Sequence, residues 1–135
     1  MPPSEVLSLT EARDEMRRLS RLIDRGIDEM RRQSLELAGA EAIYRRAKAE
    51  AWVRCPNDDP SVRAGEREWT AARREAWVNA ETAELRRTRD TAEALRDAAR
   101  EAVRARRQQL SAWQTLVNAH DEEVSLARVG PEMAS

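Results

Sequence analysis

Between Leu9 and Arg54, apolar residues recur at alternating steps of three and four. Leu9, Met16, Ile23, Met30, Leu37, Tyr44 and Ala51 occupy the first core position of successive heptads, and Ala12, Leu19, Gly26, Gln33, Ala40, Ala47 and Arg54 the second. A seam repeating about every 3.5 residues lets helices supercoil on partners, and this one outlasts the three or four heptads that separate it from chance. The pattern predicts one helix over 8–54. Ser8 and Glu11 form an S-x-x-E capping box at its start, where each side chain can meet the other residue's free backbone N–H. Leu22, Ile27, Leu35, Ala38, Ile43 and Trp52 lie beside the seam and widen its apolar stripe, which implies more than one neighbouring helix. Gly26 and Gly39 each cost about 1 kcal/mol relative to Ala in a helix interior. They fit either a gentle bend or a close helix approach, and Gly39 is where a break would fall.

Cys55-Pro-Asn-Asp-Asp-Pro-Ser61 is a dense cluster of helix breakers. Pro56 disfavours the helical region for Cys55, and Asp59-Pro60 has the form of an N-cap followed by a first-turn proline. A turn at 55–60 and a second helix over 60–128 follow, with Gly130-Pro131 as the stop signal. The early part of that helix carries Val62, Trp69, Ala72, Ala76, Ala80 and Ala83 as its seam. Leu85, Ala92, Ala99, Arg106, Trp113 and His120 then alternate with Thr88, Leu95, Ala102, Gln109 and Leu116. These two frames share no register, so a stutter or kink is expected at 83–91. The predicted fold class is all-α: a long antiparallel helical hairpin, a coiled coil, that oligomerises. Residues 1–7 read as a flexible leader, 8–129 as one hairpin domain and 130–135 as a tail. The oligomer seam is assigned to Leu9, Met16, Leu19, Ile23, Met30, Leu37, Tyr44, Trp52, Trp69, Leu95, Trp113 and Leu116. A turn near residue 60 sets Trp52 opposite Trp69 and Tyr44 opposite Trp77.

Composition agrees with long solvated helices. Charged residues make up 36% of the 135 and aromatics 4%, with no Phe, which disfavours a sheet or an apolar substrate pocket. A long hairpin has only a narrow strip of core per residue, so self-association would add to it. The single cysteine, Cys55, cannot form an intrachain disulfide, and no 18-residue apolar run exists. The start Met-Pro-Pro-Ser-Glu lacks the basic-then-apolar order of a signal peptide. A cytoplasmic protein with no membrane partner is expected.

Net charge is −1, but its distribution is uneven. Residues 1–30 are net −2, 31–54 net +3, 57–84 net −3, 86–107 net +4 and 108–135 net −3. Such blocks either pair between helices or leave a basic belt. His120 stands alone at a seam position, and no His/Cys cluster has zinc-ligand spacing. Glu122-Glu123 and Asp58-Asp59 are neighbours on a helix end and a turn rather than convergent carboxylates. The glycines stand singly, without a phosphate-cradling loop. No catalytic residue, metal site or cofactor is expected.

The basic residues carry more information. Arg17-Arg18, Arg31-Arg32, Arg45-Arg46, Arg73-Arg74, Arg86-Arg87 and Arg106-Arg107 punctuate the helices. An Arg fork binds phosphate bidentately and Trp supplies a stacking platform for single strands, whereas Arg on a helix surface also pairs with an acid three or four residues away, as Arg45 can with Glu41. Arg96, Arg100, Arg104 and Arg107 follow steps of four, four and three and share one stripe. The candidate nucleic-acid contacts are therefore Arg31, Arg32, Arg45, Arg46, Lys48, Arg96, Arg100, Arg104 and Arg107. For Trp52, Trp69, Trp77 and Trp113, helical spacing favours a core role over a ligand platform.

The segment Ala42-Ile-Tyr-Arg-Arg-Ala-Lys-Ala-Glu-Ala-Trp52 precedes a polar turn and an Ala-rich charged helix ending Arg-Arg-Gln-Gln-Leu-Ser-Ala-Trp-Gln-Thr-Leu116. This arrangement, over roughly 40–118, resembles small helical proteins of tailed bacteriophages, some similar to the UvsY-type recombination mediators; Tyr44, Ala47, Lys48 and Ala51 match best. The resemblance implies a ring-like oligomer that binds single-stranded DNA and helps load a recombinase onto strands covered by single-strand-binding protein. It also implies the cytoplasm of a bacterial host. The expected function is thus a non-enzymatic recombination or replication accessory. A structural or regulatory coiled coil, a scaffold or inhibitor that binds only protein, is the other reading.

Overall fold

A computed structural model describes residues 8–56 and 70–133, with side chains described as far as residue 128. The described residues are helical: α1 spans Leu9–Arg54, α2 Ala71–Glu81 and α3 Ala83–Met133, and no strand occurs among them. Ser8 caps α1 as its sequence predicts. Its Oγ accepts from the Glu11 N–H at 3.3 Å and its carbonyl accepts from the Ala12 N–H at 2.9 Å, satisfying donors that a helix start leaves open. The helix then runs 46 residues through both Gly26 and Gly39 without a break.

The chain divides into two compact units, Met1–Glu29 with Ala99–Ser135, and Met30–Ala98. In the first unit Ala12, Leu19 and Ile23 of α1 are buried, as is Val103 of α3. Gly26 lies against Val103, where an added Cβ would stand 2.7 Å from the valine Cγ2. That distance is shorter than any ordinary carbon contact, so the absence of a side chain at residue 26 sets how closely α1 and α3 approach there. Gly39, in the second unit, has nothing within 4 Å of the same position. One glycine is explained by packing and the other is not.

In the second unit the buried positions are Leu37, Tyr44, Ala51 and Cys55 on one side and Val78, Thr82 and Ala92 on the other. The α1 seam is thus largely the predicted one, with a substitution at its end: Arg54 is exposed and Cys55 takes the inner position. Cys55 is only 6% exposed, and its Sγ lies 3.7 Å from the Pro56 carbonyl.

The second arm keeps one half of its predicted later frame, Leu85, Ala92, Ala99, Arg106, Trp113 and His120, and departs from the rest. Ala72, Ala76, Ala80 and Ala83 are exposed, and so are Thr88, Leu95, Gln109 and Leu116. The inward positions are instead Val78, Thr82, Leu85, Arg89, Ala92 and Arg96 in the second unit, and Ala99, Val103, Arg106, Leu110, Trp113, Val117 and His120 in the first. Their spacing alternates between three and four throughout, so a single register replaces the two expected frames. The predicted seam residues Leu95, Leu116 and Trp52 therefore face outward. Both stripes carry apolar residues, Leu95 and Leu116 in one and Val103, Leu110 and Val117 in the other, and the inner one admits Arg89 and Arg96 because long Arg stems cover core while their heads stay wet.

The expected irregularity at 83–91 is absent, and α3 is continuous there. The interruption is one residue long and falls at Thr82, with φ −105° and ψ 9°. Its N–H still reaches the Val78 carbonyl at 3.0 Å, but its hydroxyl donates to that same oxygen at 2.8 Å. This back-bonding by threonine competes for the carbonyl and bends helices locally. Upstream, Thr70 caps α2, its Oγ1 accepting from the Arg73 N–H at 3.2 Å, so the described second arm begins at Ala71, and the predicted helix start at 60 lies outside the described residues. The leader at 1–7, Val62, Trp69 and most of the predicted turn lie outside the described residues. Tyr44 meets Arg89, whose guanidinium carbon lies over its ring. Nor does Gly130-Pro131 end the helix at 128, since α3 extends to Met133; a single lost N–H bond in a terminal turn leaves helical dihedrals accessible.

The two glycines make opposite predictions. Gly39→Ala is expected to raise unfolding free energy by about 1 kcal/mol through helix propensity. Gly26→Ala forfeits that gain by pressing on the stiff Val103 and is expected to lower stability by about 1–2 kcal/mol. Chemical denaturation of both variants checks the contrast.

Candidate functional site

Arginine side chains acquire their geometry from the helices beneath them. On α1 in the second unit, Arg45 Nη2 lies 3.7 Å from Glu41 Oε2 and Arg46 Nε donates to Glu50 Oε1 at 3.1 Å. Both are pairs at a separation of four, where side chains stand over one another on a helix. Lys48 Nζ lies 5.9 Å from the centroid of the Tyr44 ring. Arg31 and Arg32 are exposed on the same helix.

Arg96 belongs to the seam rather than to an outer stripe. It is half-buried, and its Nε donates to Asp97 Oδ1 at 3.0 Å. Seven residues earlier, Arg89 is placed alike: Nε and Nη2 donate to Asp90 Oδ1 at 3.1 and 2.7 Å, and the guanidinium carbon lies 4.7 Å from the Tyr44 ring centroid. The Asp90 hydrogen bond raises the Arg89 pKa further above its ordinary range. Arg89 was not singled out from the sequence. Its signal is the Arg-Asp dipeptide, repeated seven residues apart, which supplies each seam guanidinium with a carboxylate directed outward.

In the first unit Arg100, Arg104 and Arg107 are exposed on α3, and Arg104 Nη1 donates to Glu101 Oε1 at 2.9 Å. On α1, Arg17 pairs with Asp14 at 3.6 Å, and Arg18 grips Glu15 with both Nε and Nη2, the Nε bond being 2.9 Å. That fork holds the Glu15 carboxyl below the usual carboxylate range, chiefly through the Arg18 hydrogen bond, and raises Arg18 in return. Residues 8–29 and 99–128 hold ten basic and ten acidic side chains, while 30–56 and 70–98 hold twelve against nine. Residues 57–69 add two basic and four acidic side chains, so the second unit as a whole is close to neutral and its basic run is 31–54.

The concave regions are grooves beside the packed helices. One in the first unit is lined by Leu22, Arg25, Gly26, Ala99, Ala102 and Arg106, and one in the second by Glu36, Ala40, Glu84, Thr88, Ala92 and Leu95, among others. Among the described residues no group of three or more His, Cys, Asp or Glu is placed to hold a metal ion. His120 is half-buried at its seam position and Glu122-Glu123 are exposed on α3. No described helix is long and apolar enough to cross a membrane. Comparison with protein-family models, curated proteins and solved structures returns no match to this chain.

Two outcomes test this geometry. In an NMR pH titration, Glu15 is expected to protonate at lower pH than an unpaired glutamate, and Arg18→Gln to move it upward. With its folded pKa depressed, the Glu15 contribution is present above the unfolded-state pKa and is lost as pH falls through the folded value. Separately, Arg89→Ala is expected to lower the thermal unfolding midpoint and Arg89→Met to lower it less, because methionine keeps an apolar stem over Tyr44.

Proposed function

We propose that this is a non-enzymatic structural or regulatory protein whose α1 and α3 pair as an antiparallel coiled-coil hairpin and bind other protein helices. The observation that carries the reading is the local neutralisation of its basic side chains. Of the nine candidate nucleic-acid contacts, Arg45, Arg46, Arg96 and Arg104 each hold a carboxylate of their own helix. Each exposed pair is worth only about 0–1 kcal/mol. Their significance lies in the field they leave, since a guanidinium beside its counter-charge presents a dipole to an approaching polyanion rather than a net positive charge.

The second reading is the single-stranded DNA accessory that acts with a recombinase, in the manner the phage resemblance implies. It is favoured by the net +3 charge of residues 31–54 and by the exposure of Arg45 and Arg46, whose side chains are 77% and 83% accessible. Those ion pairs are weak enough for phosphates to displace.

Binding of a labelled single-stranded oligonucleotide at low and near-physiological salt separates the two, with duplex DNA as competitor. The protein-binding reading expects no single-strand preference surviving at the higher salt. Preferential single-strand binding that weakens steeply with salt, and is lost in Arg45→Glu/Arg46→Glu or Arg100→Glu/Arg104→Glu, would overturn it in favour of the accessory role.

A further inference from the structure

The outward side of α1 changes character at Leu35. Counting by sevens, one outward position reads Asp14, Arg21, Asp28 and then Leu35, Ala42, Ala49. Its neighbour three residues on reads Arg17, Asp24, Arg31 and then Ala38, Arg45, Trp52. All six residues of the later set are exposed, with Leu35 at 76% and Trp52 at 39%, and the adjoining Val53 is 87% exposed. Scattered apolar side chains on a surface are ordinary, but a heptad stripe that turns apolar along one helix marks a contact face. The inner seam of the same helix is already occupied by Val78, Thr82 and Ala92 of its own unit, so this is a second and separate face.

We propose that this outer stripe of the second unit, Leu35 to Val53, docks against the same stripe of a second copy of the chain, antiparallel about a two-fold axis between Ala42 and Arg45. The inference deepens the protein-binding reading and rests on it. In an antiparallel coiled coil the two alternating core positions face each other, which sets Leu35 against the partner's Trp52, Ala38 against the partner's Ala49 and Ala42 against the partner's Arg45. Alanines and Arg45 then occupy the middle, and Leu35 and Trp52 close both ends. The charges select the same arrangement. Glu41 and Lys48 share one edge of the stripe, and the antiparallel register brings each against its opposite in the partner, twice per dimer. A parallel, in-register pairing would place Arg45 against the partner's Arg45 within the seam, a like-charge contact that disfavours it. The two-fold axis also makes the interface self-complementary, as a closed dimer requires.

Sedimentation equilibrium of the full chain over a wide concentration range tests this, with circular dichroism to verify helicity of each variant. A reversible dimer is expected. Ala42→Lys, at an exposed position beside the axis, should weaken it at least about tenfold, since the new charge meets the partner's Arg45. Glu41→Lys should also weaken it, and Glu41→Lys/Lys48→Glu should restore it. A chain that stays monomeric throughout, a dimer indifferent to Ala42→Lys, or a double variant no better than Glu41→Lys overturns the proposal. Such failure without DNA binding removes only the second-copy partner, whereas preferential single-strand binding that weakens with salt and is lost in the arginine variants removes the protein-binding reading itself.

Discussion

Everything in this molecule depends on burying a narrow stripe at heptad spacing. Helices packed side by side offer few fully enclosed positions, and the buried set is small: Leu19 and Val78 are the largest side chains that lose essentially all their exposure. Each enclosed residue therefore carries a large share of the stability. Close approach matters more than bulk, which is why Gly26 lies on Val103 and why Ala12, Ala51 and Ala92 serve as core.

So small a core can admit charge only with its partner supplied. Arg89 and Arg96 occupy positions where a coiled coil ordinarily takes Leu or Ile, and each is followed directly by an aspartate that fixes its guanidinium toward solvent. Tyr44 gains from this arrangement, since its ring lies against the Arg89 head. The same residues that keep the seam closed thereby remove two arginines from the exposed basic surface. Packing and electrostatics are coupled at these positions, and the functional reading shifts with them from a polyanion surface toward protein contacts.

The outer stripe of α1 is the counterpart of the inner one. A helix that presents apolar residues on two sides has more to bury than its own unit covers. In the first unit the outward positions of α1 are charged, and helical ion pairs such as that of Arg18 with Glu15 replace apolar contact. The two units thus use one helix in different ways, one with a solvated outer surface and one with an apolar outer surface.

The sequence by itself determined the helical class, the capped start at Ser8 and nearly the whole inner face of α1, because a heptad sustained over 46 residues has one apolar solution. It also contained the Glu41–Arg45 pair, which follows from helical spacing alone. Only the tertiary structure decided the register of the second arm. There two stripes compete for the positions that alternate with Leu85, Ala92 and Ala99, one with Leu95 and Leu116 and the other with Arg89, Arg96, Val103, Leu110 and Val117, and residue polarity does not decide between them. The choice rests on what lies opposite: a tyrosine ring that accepts a guanidinium and a glycine that leaves room for Val103. Those partners are remote in the chain, so no periodicity within α3 could reveal them. Leu35, Trp52 and Leu95 became surface for the same reason, and the face now proposed for a second copy came into view only when the inner seam was shown to be filled without them.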